Sequence, residues 1–291
     1  LDTLSKQSAV PPFIMPARVA ETPIDTAITE YIGSGPFVFV EDEFDPGLSV
    51  TYAKFEDYVP RDEPANGMAG GKIVHVDKVK WITMPDAMTT INALAEGEID
   101  YSEFVQIDML PIFEGNDEVV IEQRDPLGYQ TMTRLNFLHP PFDNPLVRQA
   151  VVKAIAQQPV LDAMVGDDRY YELCGAVLGC GTPLGSETDG ESLVAGDGVE
   201  AAKALLAEAG YDGTPVVIMQ PTDVVTLNTQ PVVVAQLLRD AGFTVDLQPM
   251  DWQTLVTRRV SRNLPTEGGW SLFSTNWMAL EISTPLARSP L

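Results

Sequence analysis

The stretch PVVIMQPTDVVTLNTQPVVVAQLLRDAGFTVDLQPM, residues 215–250, decides the fold of this chain. Its apolar start predicts a buried strand over residues 215–219. Its middle predicts a helix over 229–241 that Gly242 ends, and its last part predicts a strand over 243–250. Two strands that flank a helix in this way predict a right-handed crossover between parallel neighbours in one sheet.

The sequence on either side continues the same alternation. A helix is predicted over 198–209, ended by Gly210, and a further helix and strand are predicted over 251–262 and 269–274. The fold class is therefore α/β, with a wound sheet in the last third of the chain. Ligands of such sheets bind outside the carboxyl ends of the strands. The residues that follow the predicted strands are Gln220, Pro221, Thr222 and Asp223, then Asp251 and Trp252, then Thr275, Asn276 and Trp277.

The rest of the chain predicts shorter elements. Aromatic and β-branched residues predict strands over 37–40, 48–52, 73–82, 99–104 and 119–123. Asp143, Asn144 and Pro145 predict the start of a helix over 146–156, because Asp and Asn cap helices and Pro fits the first turn.

Charge and size exclude several classes of protein. The 291 residues carry 42 acidic against 18 basic side chains, a formal charge of −24, which would repel nucleic acids and anionic membranes. No run of 18 apolar residues is present that would span a bilayer. With 45% hydrophobic residues, the chain is long enough to fill two lobes.

The motifs of common enzymes are missing from the sequence. No nucleophile elbow, phosphate-binding loop or dinucleotide-binding glycine pattern is present. The two histidines, His75 and His139, lack metal-ligand spacing, so we expect no metal and no cofactor. The chain is predicted not to be an enzyme. A hydrolase that uses paired carboxylates remains the alternative, because acidic residues are plentiful.

The two cysteines, Cys174 and Cys180, lie close together in a glycine-rich stretch. Their spacing differs from that of a C-x-x-C redox pair, and too few further ligands are nearby for a zinc site. Two interpretations stay open, namely a disulfide formed in an oxidising compartment and a pair of unrelated buried thiols.

Aromatic and amide residues near the predicted strand ends also have two interpretations. Trp252 and Trp277 suit core packing, but the position of Trp277 beside Asn276 equally suits a ligand site, which is an apolar cleft with a few polar groups. For Asn228 and Thr229, we expect a helix cap before Pro231.

Four segments resemble the extracytoplasmic solute-binding proteins of family 5, which serve peptide, nickel and opine ABC importers. They occur in the order of that family. They are the turn GSGPF (residues 33–37), AEGEID (95–100), NFLHPPFDNPLVRQA (136–150) and AAKALLAEAGY (201–211). The pair Cys174 and Cys180, followed by Gly181, Thr182 and Pro183, resembles a branch of the family in which two cysteines precede this turn.

The resemblance implies a two-lobed fold of the type II periplasmic binding proteins, with one lobe largely complete and the other partial. Residues 1–123 would form a partial first lobe with a mixed sheet, and residues 124–291 a second lobe cut short at its carboxyl end. By the resemblance, this chain would be a fragment without a signal peptide. It would belong to a periplasmic or extracytoplasmic protein.

The resemblance also implies partners and site residues. The partners would be a small solute, peptide-like or related, and the permease subunits of an ABC importer; we expect a monomer that binds no nucleic acid. Arg134, close to the expected hinge, would clamp an anionic group or form a structural salt bridge. The predicted ligand-binding residues are Arg134, Asn136, Gln220, Thr222, Asp223, Asn228, Trp252, Phe273, Asn276 and Trp277.

Two departures from the family pattern bear on the solute. Peptide binders of the family place an Asp three residues after the tryptophan that matches Trp277, whereas this chain has Leu280 there and Glu281 next. The carboxylate-binding Arg of some dipeptide binders is also missing, because Asn228, Thr229 and Gln230 occupy that region. The sequence therefore disfavours a zwitterionic dipeptide.

Overall fold

The computed structural model describes residues 14–23, 26–66, 69–188, 190–196 and 198–283. Its internal contacts divide the chain into two compact units, residues 1–121 and 122–291. Within the described ranges, no helix is long and apolar enough to cross a membrane.

The described residues of unit 1 contain three strands and two α-helices. In chain order they are α1 (Ala17–Ala20), β1 (Phe37–Phe39), β2 (Ser49–Lys54), β3 (Lys78–Ile82) and α2 (Ala87–Ala95). The strands form one sheet in the order β1-β2-β3, and both pairings are antiparallel. The prediction of a mixed sheet is therefore wrong for the described strands of this unit.

Two of the strands predicted in unit 1 do not form. The backbone N–H of Ile99 donates to the carbonyl of Ala93 at the end of α2, so the 99–104 segment begins as a helix cap. Val119 donates to the carbonyl of Asn116 in a turn at the start of the 119–123 segment. Both segments are apolar enough for a strand, but neither pairs with a neighbouring strand.

Unit 2 contains four strands and seven helices in its described part. In chain order they are β4 (Tyr129–Leu135), α3 (Pro145–Ala154), α4 (Gln157–Met164), α5 (Glu191–Ala195), α6 (Val199–Glu208), β5 (Val216–Pro221), α7 (Val225–Asn228), α8 (Gln230–Asp240), β6 (Val245–Met250), α9 (Trp252–Arg258) and β7 (Leu272–Met278). The predicted wound α/β unit is confirmed, with boundaries that differ by a few residues.

The sheet of unit 2 has the strand order β4-β7-β5-β6. β5 runs parallel to both β6 and β7, as a wound sheet requires, whereas β4 is antiparallel to β7. The sequence did not predict β4, which adds an edge strand to the sheet. Because it runs in the opposite direction, β4 begins where β5, β6 and β7 end.

Helices cover both faces of this sheet. On the α8 face, Ile218 and Leu272 pack with Val234 and Leu238 of α8 in the larger core cluster. On the α9 face, Met219 and Phe273 pack with Leu255 of α9 in a smaller cluster. Successive strand residues alternate between these two faces.

One of the two helix caps that the sequence predicts is formed. The side chain of Asn144 accepts a hydrogen bond from the Leu146 N–H, and Pro145 opens α3, as the sequence predicts. The predicted cap at Asn228 and Thr229 is wrong, because neither side chain caps α8. The Thr229 hydroxyl instead donates to the Asn228 side-chain oxygen, and the short helix α7 already precedes α8.

Candidate functional site

The carboxyl edge of the sheet in unit 2 gathers most of the predicted site residues. It is formed by the ends of β5, β6 and β7 together with the beginning of β4. Gln220 is the last residue but one of β5, and Thr222 and Asp223 follow that strand. β7 is longer than predicted and includes Asn276 and Trp277.

Asn276 points to the α8 face, where it joins the short helix α7. Its Nδ2 donates to Thr226 Oγ1 at 3.2 Å. On the same face, Gln220 Nε2 donates to the carbonyl of Asn228 at 3.1 Å. Both bonds go to residues of α7, so Asn276, Gln220 and Asn228 belong to one polar group, which Thr226 completes. Thr226 was not predicted, because its contact with β7 joins segments far apart in the sequence.

Trp277 points to the opposite, α9 face of the sheet. It lies directly across from Gln130 of β4, and its ring is half-buried. Asn276 and Trp277 are neighbours in sequence, but their side chains cannot share one contact with a small group, because strand residues alternate between faces.

The end of β5 is joined to the start of α9 by contacts of Thr222, Asp223 and Trp252, which are together named the clasp. Asp223 Oδ1 accepts the backbone N–H of Trp252 at 2.8 Å. The backbone N–H of Thr222 donates to the carbonyl of Met250 at 2.9 Å. The Trp252 side chain packs against the cluster around Met219. These bonds fix the shape of the edge.

The cap of α9 adds a fixed negative charge beside this clasp. Asp251 accepts hydrogen bonds from the hydroxyl and the backbone N–H of Thr254, at 2.6 and 2.9 Å. The hydroxyl hydrogen bond is the larger cause, and the two together hold the pKa of Asp251 below its usual value. The carboxylate is therefore ionised at neutral pH, next to the backbone of Trp252.

Three predicted residues lie elsewhere. Asn136 is 6% exposed and lies at the opposite edge of the sheet. Its Nδ2 donates to the carbonyl of Trp270, and its Oδ1 accepts the N–H of Leu138. Phe273 is 2% exposed and packs edge-on against Trp270, with 5.0 Å between ring centroids. Neither is available to a solute at the carboxyl edge. Both residues therefore lie outside the candidate site, because burial and strand direction separate them from the edge.

Arg134 shares the α9 face with Trp277 but lies further from the edge. Its guanidinium carbon is 5.7 Å from the centroid of the Phe273 ring. Arg134 pairs with Phe273, four residues before Trp277, which corresponds to about 13 Å along the strand at roughly 3.3 Å per residue. One small group cannot contact both side chains.

Glu281 lies in the turn after β7 and is 7% exposed. Its Oε2 accepts the backbone N–H of Met278 at 3.0 Å. Its Oε1 is buried and has no hydrogen-bond partner among the described residues. Burial of a carboxylate oxygen without a hydrogen-bond donor costs free energy. A donor from outside the described residues would remove this cost. The sequence placed Glu281 close to Trp277 but did not reveal its burial.

Cys174 and Cys180 form a disulfide, with the two Cα atoms 5.8 Å apart. This confirms the first of the two interpretations of the cysteine pair. The closed segment, residues 174–180, is named the disulfide loop here. It contacts the carboxyl edge through Gln130, whose Nε2 donates to the carbonyl of Ala176 at 2.8 Å.

Removing the disulfide is expected to lower the stability of the chain moderately. Closure of so short a loop restricts the unfolded chain, so the double variant Cys174→Ser/Cys180→Ser should lose about 2 kcal/mol of unfolding free energy. Urea denaturation would measure the loss. Leu184→Ala, at an exposed neighbouring residue, is the control and should change the free energy by less than about 0.5 kcal/mol. A double variant as stable as the parent would contradict this account.

Comparison with known proteins identifies the family. The model of the bacterial extracellular solute-binding proteins, family 5, matches residues 2–288. A probable peptide ABC transporter periplasmic-binding protein of Sinorhizobium fredii is 39% identical over 267 residues, which cover 91% of this chain and 50% of that protein. The glutathione-binding protein GsiB of Pectobacterium atrosepticum is 26% identical, covering 95% of this chain and 51% of that protein.

Solved structures show the same fold. The binding protein AgaA of A. tumefaciens, solved with agropinic acid, superposes with a TM-score of 0.65 at 22% identity, over 89% of this chain and 48% of that one. DppA of Helicobacter pylori, solved with the peptide STSA, also gives 0.65, at 20% identity, over 88% of this chain and 44% of that one. This chain thus has the fold of part of a two-lobed periplasmic binding protein.

The chain spans about half the length of the curated relatives that it matches. The matches confirm the family, the fold class and the extracytoplasmic location that the sequence predicts. The chain belongs to the bacterial extracellular solute-binding proteins of family 5.

Proposed function

We propose that the full-length protein is the substrate-binding component of an ABC importer. It binds a peptide-like or opine-like solute between two lobes, as a monomer, and delivers it to the permease in the membrane. Family membership supports the class of function, and the relatives named for peptide and glutathione binding support the class of solute. Delivery requires that the solute binds the closed form more tightly than the open form, because only then does binding signal to the permease.

The solute binds at the carboxyl edge of the sheet in unit 2. The observation that carries this proposal is the combination there of a half-buried indole, Trp277, with the buried Glu281 Oε1, which has no hydrogen-bond partner within the part of the chain that the structure describes. An aromatic surface beside a few oriented polar atoms is the usual composition of a small-molecule site. Oε1 of this carboxylate is an acceptor, so it favours a solute that carries N–H or ammonium donors.

Gln220, Asn228 and Asn276 contribute the polar border of this edge on the α8 face. Thr222, Asp223 and Trp252 support it through the clasp to α9. Arg134 acts within the sheet, stacked on Phe273.

The alternative of a hydrolase with paired carboxylates has less support. Such an enzyme needs one carboxyl group whose pKa is raised so that it can donate a proton. Every described carboxyl group whose pKa departs from its usual value is shifted downward, chiefly by hydrogen bonds to a neighbouring side chain. These groups are Glu30, Glu43, Glu63, Asp86, Asp162, Asp167, Asp212 and Asp251. We therefore propose that the protein is not an enzyme.

Native mass spectrometry of the full-length protein, purified without refolding, tests the function. We expect a monomer that carries a small solute, released intact when the protein is denatured. Incubation of that solute with fresh protein should leave its mass unchanged. Conversion of the solute into a product would instead favour the hydrolase, and a protein that neither carries nor binds peptides or opines would contradict the proposal.

A further inference from the structure

Gln130 occupies a position in the candidate site that the predicted residue set does not include. It is the second residue of β4 and lies directly across from Trp277 of β7. Both side chains are half-buried on the α9 face of the sheet. A solute that packs against the indole would therefore reach the carboxamide of Gln130.

The orientation of this carboxamide is fixed by the disulfide loop. Gln130 Nε2 lies 2.8 Å from the carbonyl oxygen of Ala176, and a carbonyl oxygen only accepts hydrogen bonds. The NH₂ group must therefore face the loop, and Oε1 must face away from it. Oε1 is buried and has no partner among the described residues. It is an acceptor held in place without a donor.

The disulfide loop is in turn anchored on both sides. At its start, the carboxamide of Gln157 donates to the carbonyl of Cys174 at 2.7 Å and accepts the Cys174 N–H at 2.8 Å. Near its end, Gly179 lies against Ala279, just after β7. A methyl group added to Gly179 would come within 3.3 Å of the Ala279 carbonyl oxygen. The loop thus bridges α4 and the carboxyl edge, and it sets the position of the Ala176 carbonyl.

We propose that Gln130 is a specificity-determining residue and that the disulfide loop is the element that positions it. Gln130 Oε1 accepts a hydrogen bond from an N–H or O–H group of the solute that packs on Trp277. The inference rests on the proposed function and adds to it. An intact disulfide favours solute binding, so a reducing environment weakens the affinity without unfolding the protein.

A double-mutant cycle in the full-length protein tests this inference. The probes are Ala-Ala-Ala and agropinic acid, and affinity is measured by calorimetry with whichever of them binds. Gln130→Met, which keeps the volume of the side chain but not its amide, should weaken binding about tenfold, the effect of losing one well-placed hydrogen bond. The control Gln149→Ala, at an exposed residue of α3, should leave affinity within about twofold.

Removing the disulfide by Cys174→Ser/Cys180→Ser should also weaken binding, by about fivefold. If the loop acts through Gln130, the triple variant should bind no more than about twofold more weakly than Gln130→Met alone, because coupled residues are not additive. If the cysteine variant does not fold, Gln157→Leu replaces it, because it releases the loop and keeps the disulfide. Combined with Gln130→Met, it should likewise weaken binding no more than about twofold beyond Gln130→Met alone.

Stability separates a role in binding from a role in folding. Gln130→Met removes an acceptor that has no partner among the described residues, but it also removes the hydrogen bond to the Ala176 carbonyl. The melting temperature of the solute-free protein should therefore fall by no more than about 2–4 °C, the effect of losing about one hydrogen bond, while the affinity falls about tenfold. Two results would overturn the inference and leave the proposed function intact. One is a triple variant whose affinity is about fiftyfold weaker than that of the parent, the product of the two separate losses. The other is an unchanged affinity in Gln130→Met. If the parent protein binds neither probe and carries no solute, both proposals fail.

Discussion

Replacing Trp277 by alanine in the full-length protein is expected to weaken solute binding by about 100-fold. The indole is half-buried at the carboxyl edge of the sheet, and it is the large apolar surface that lies beside Gln130. Loss of an aromatic anchor of this kind costs about 2–4 kcal/mol of binding free energy. Isothermal titration calorimetry with the solute that copurifies, or with Ala-Ala-Ala, would measure the change.

Two further variants make this test specific. Trp277→Phe keeps most of the apolar area and should lose less than about tenfold. Trp81→Ala removes a tryptophan of β3 that is 49% exposed in unit 1, outside the candidate set, and should leave affinity within about threefold. An affinity of Trp277→Ala equal to that of Trp81→Ala would show that the solute does not pack on Trp277, and the proposed site would be wrong.

Replacing Phe142 by alanine is expected to give the largest loss of stability. Phe142 is fully buried, in the larger core cluster with Val147 and Val151 of α3. Removing a buried phenyl ring forfeits its transfer free energy and leaves a cavity, so the free energy of unfolding should fall by about 3–5 kcal/mol. Denaturant titration followed by tryptophan fluorescence suits the measurement, because Trp252, Trp270 and Trp277 all lie in unit 2.

The same segment offers a matched control. Phe137 is 54% exposed, and the guanidinium carbon of Arg148 lies 4.4 Å from its ring centroid. Phe137→Ala should therefore cost about 1 kcal/mol or less, since little buried area and one exposed cation–π contact are lost. Equal losses in the two variants would mean that burial does not determine the stability of this segment.

Local sequence patterns predicted the framework of unit 2 well. The runs of apolar residues placed β5 and β6, and the glycines at 210 and 242 ended α6 and α8 close to the observed positions. Asn144 and Pro145 started α3 as expected. These features depend on residues a few positions apart, and so the sequence alone contains the information.

The candidate site was predicted only in part, because it depends on pairing between distant segments. β4 was not predicted, and β7 was predicted four residues too short at its carboxyl end. The register between these two strands decides which side chains share a face, and a shift by one residue would exchange the faces. This register separates Asn276 from Trp277 and brings Gln130 opposite the indole.

By itself, the sequence determined that the chain is an α/β protein of the family 5 solute-binding type, because helix periodicity, caps and family motifs are local properties. Only the tertiary structure decided that Asn136 and Phe273 are structural and that Gln130, Thr226 and Glu281 belong to the candidate site. Strand direction, burial and the disulfide loop set these roles, and all three arise from contacts between residues far apart in the chain.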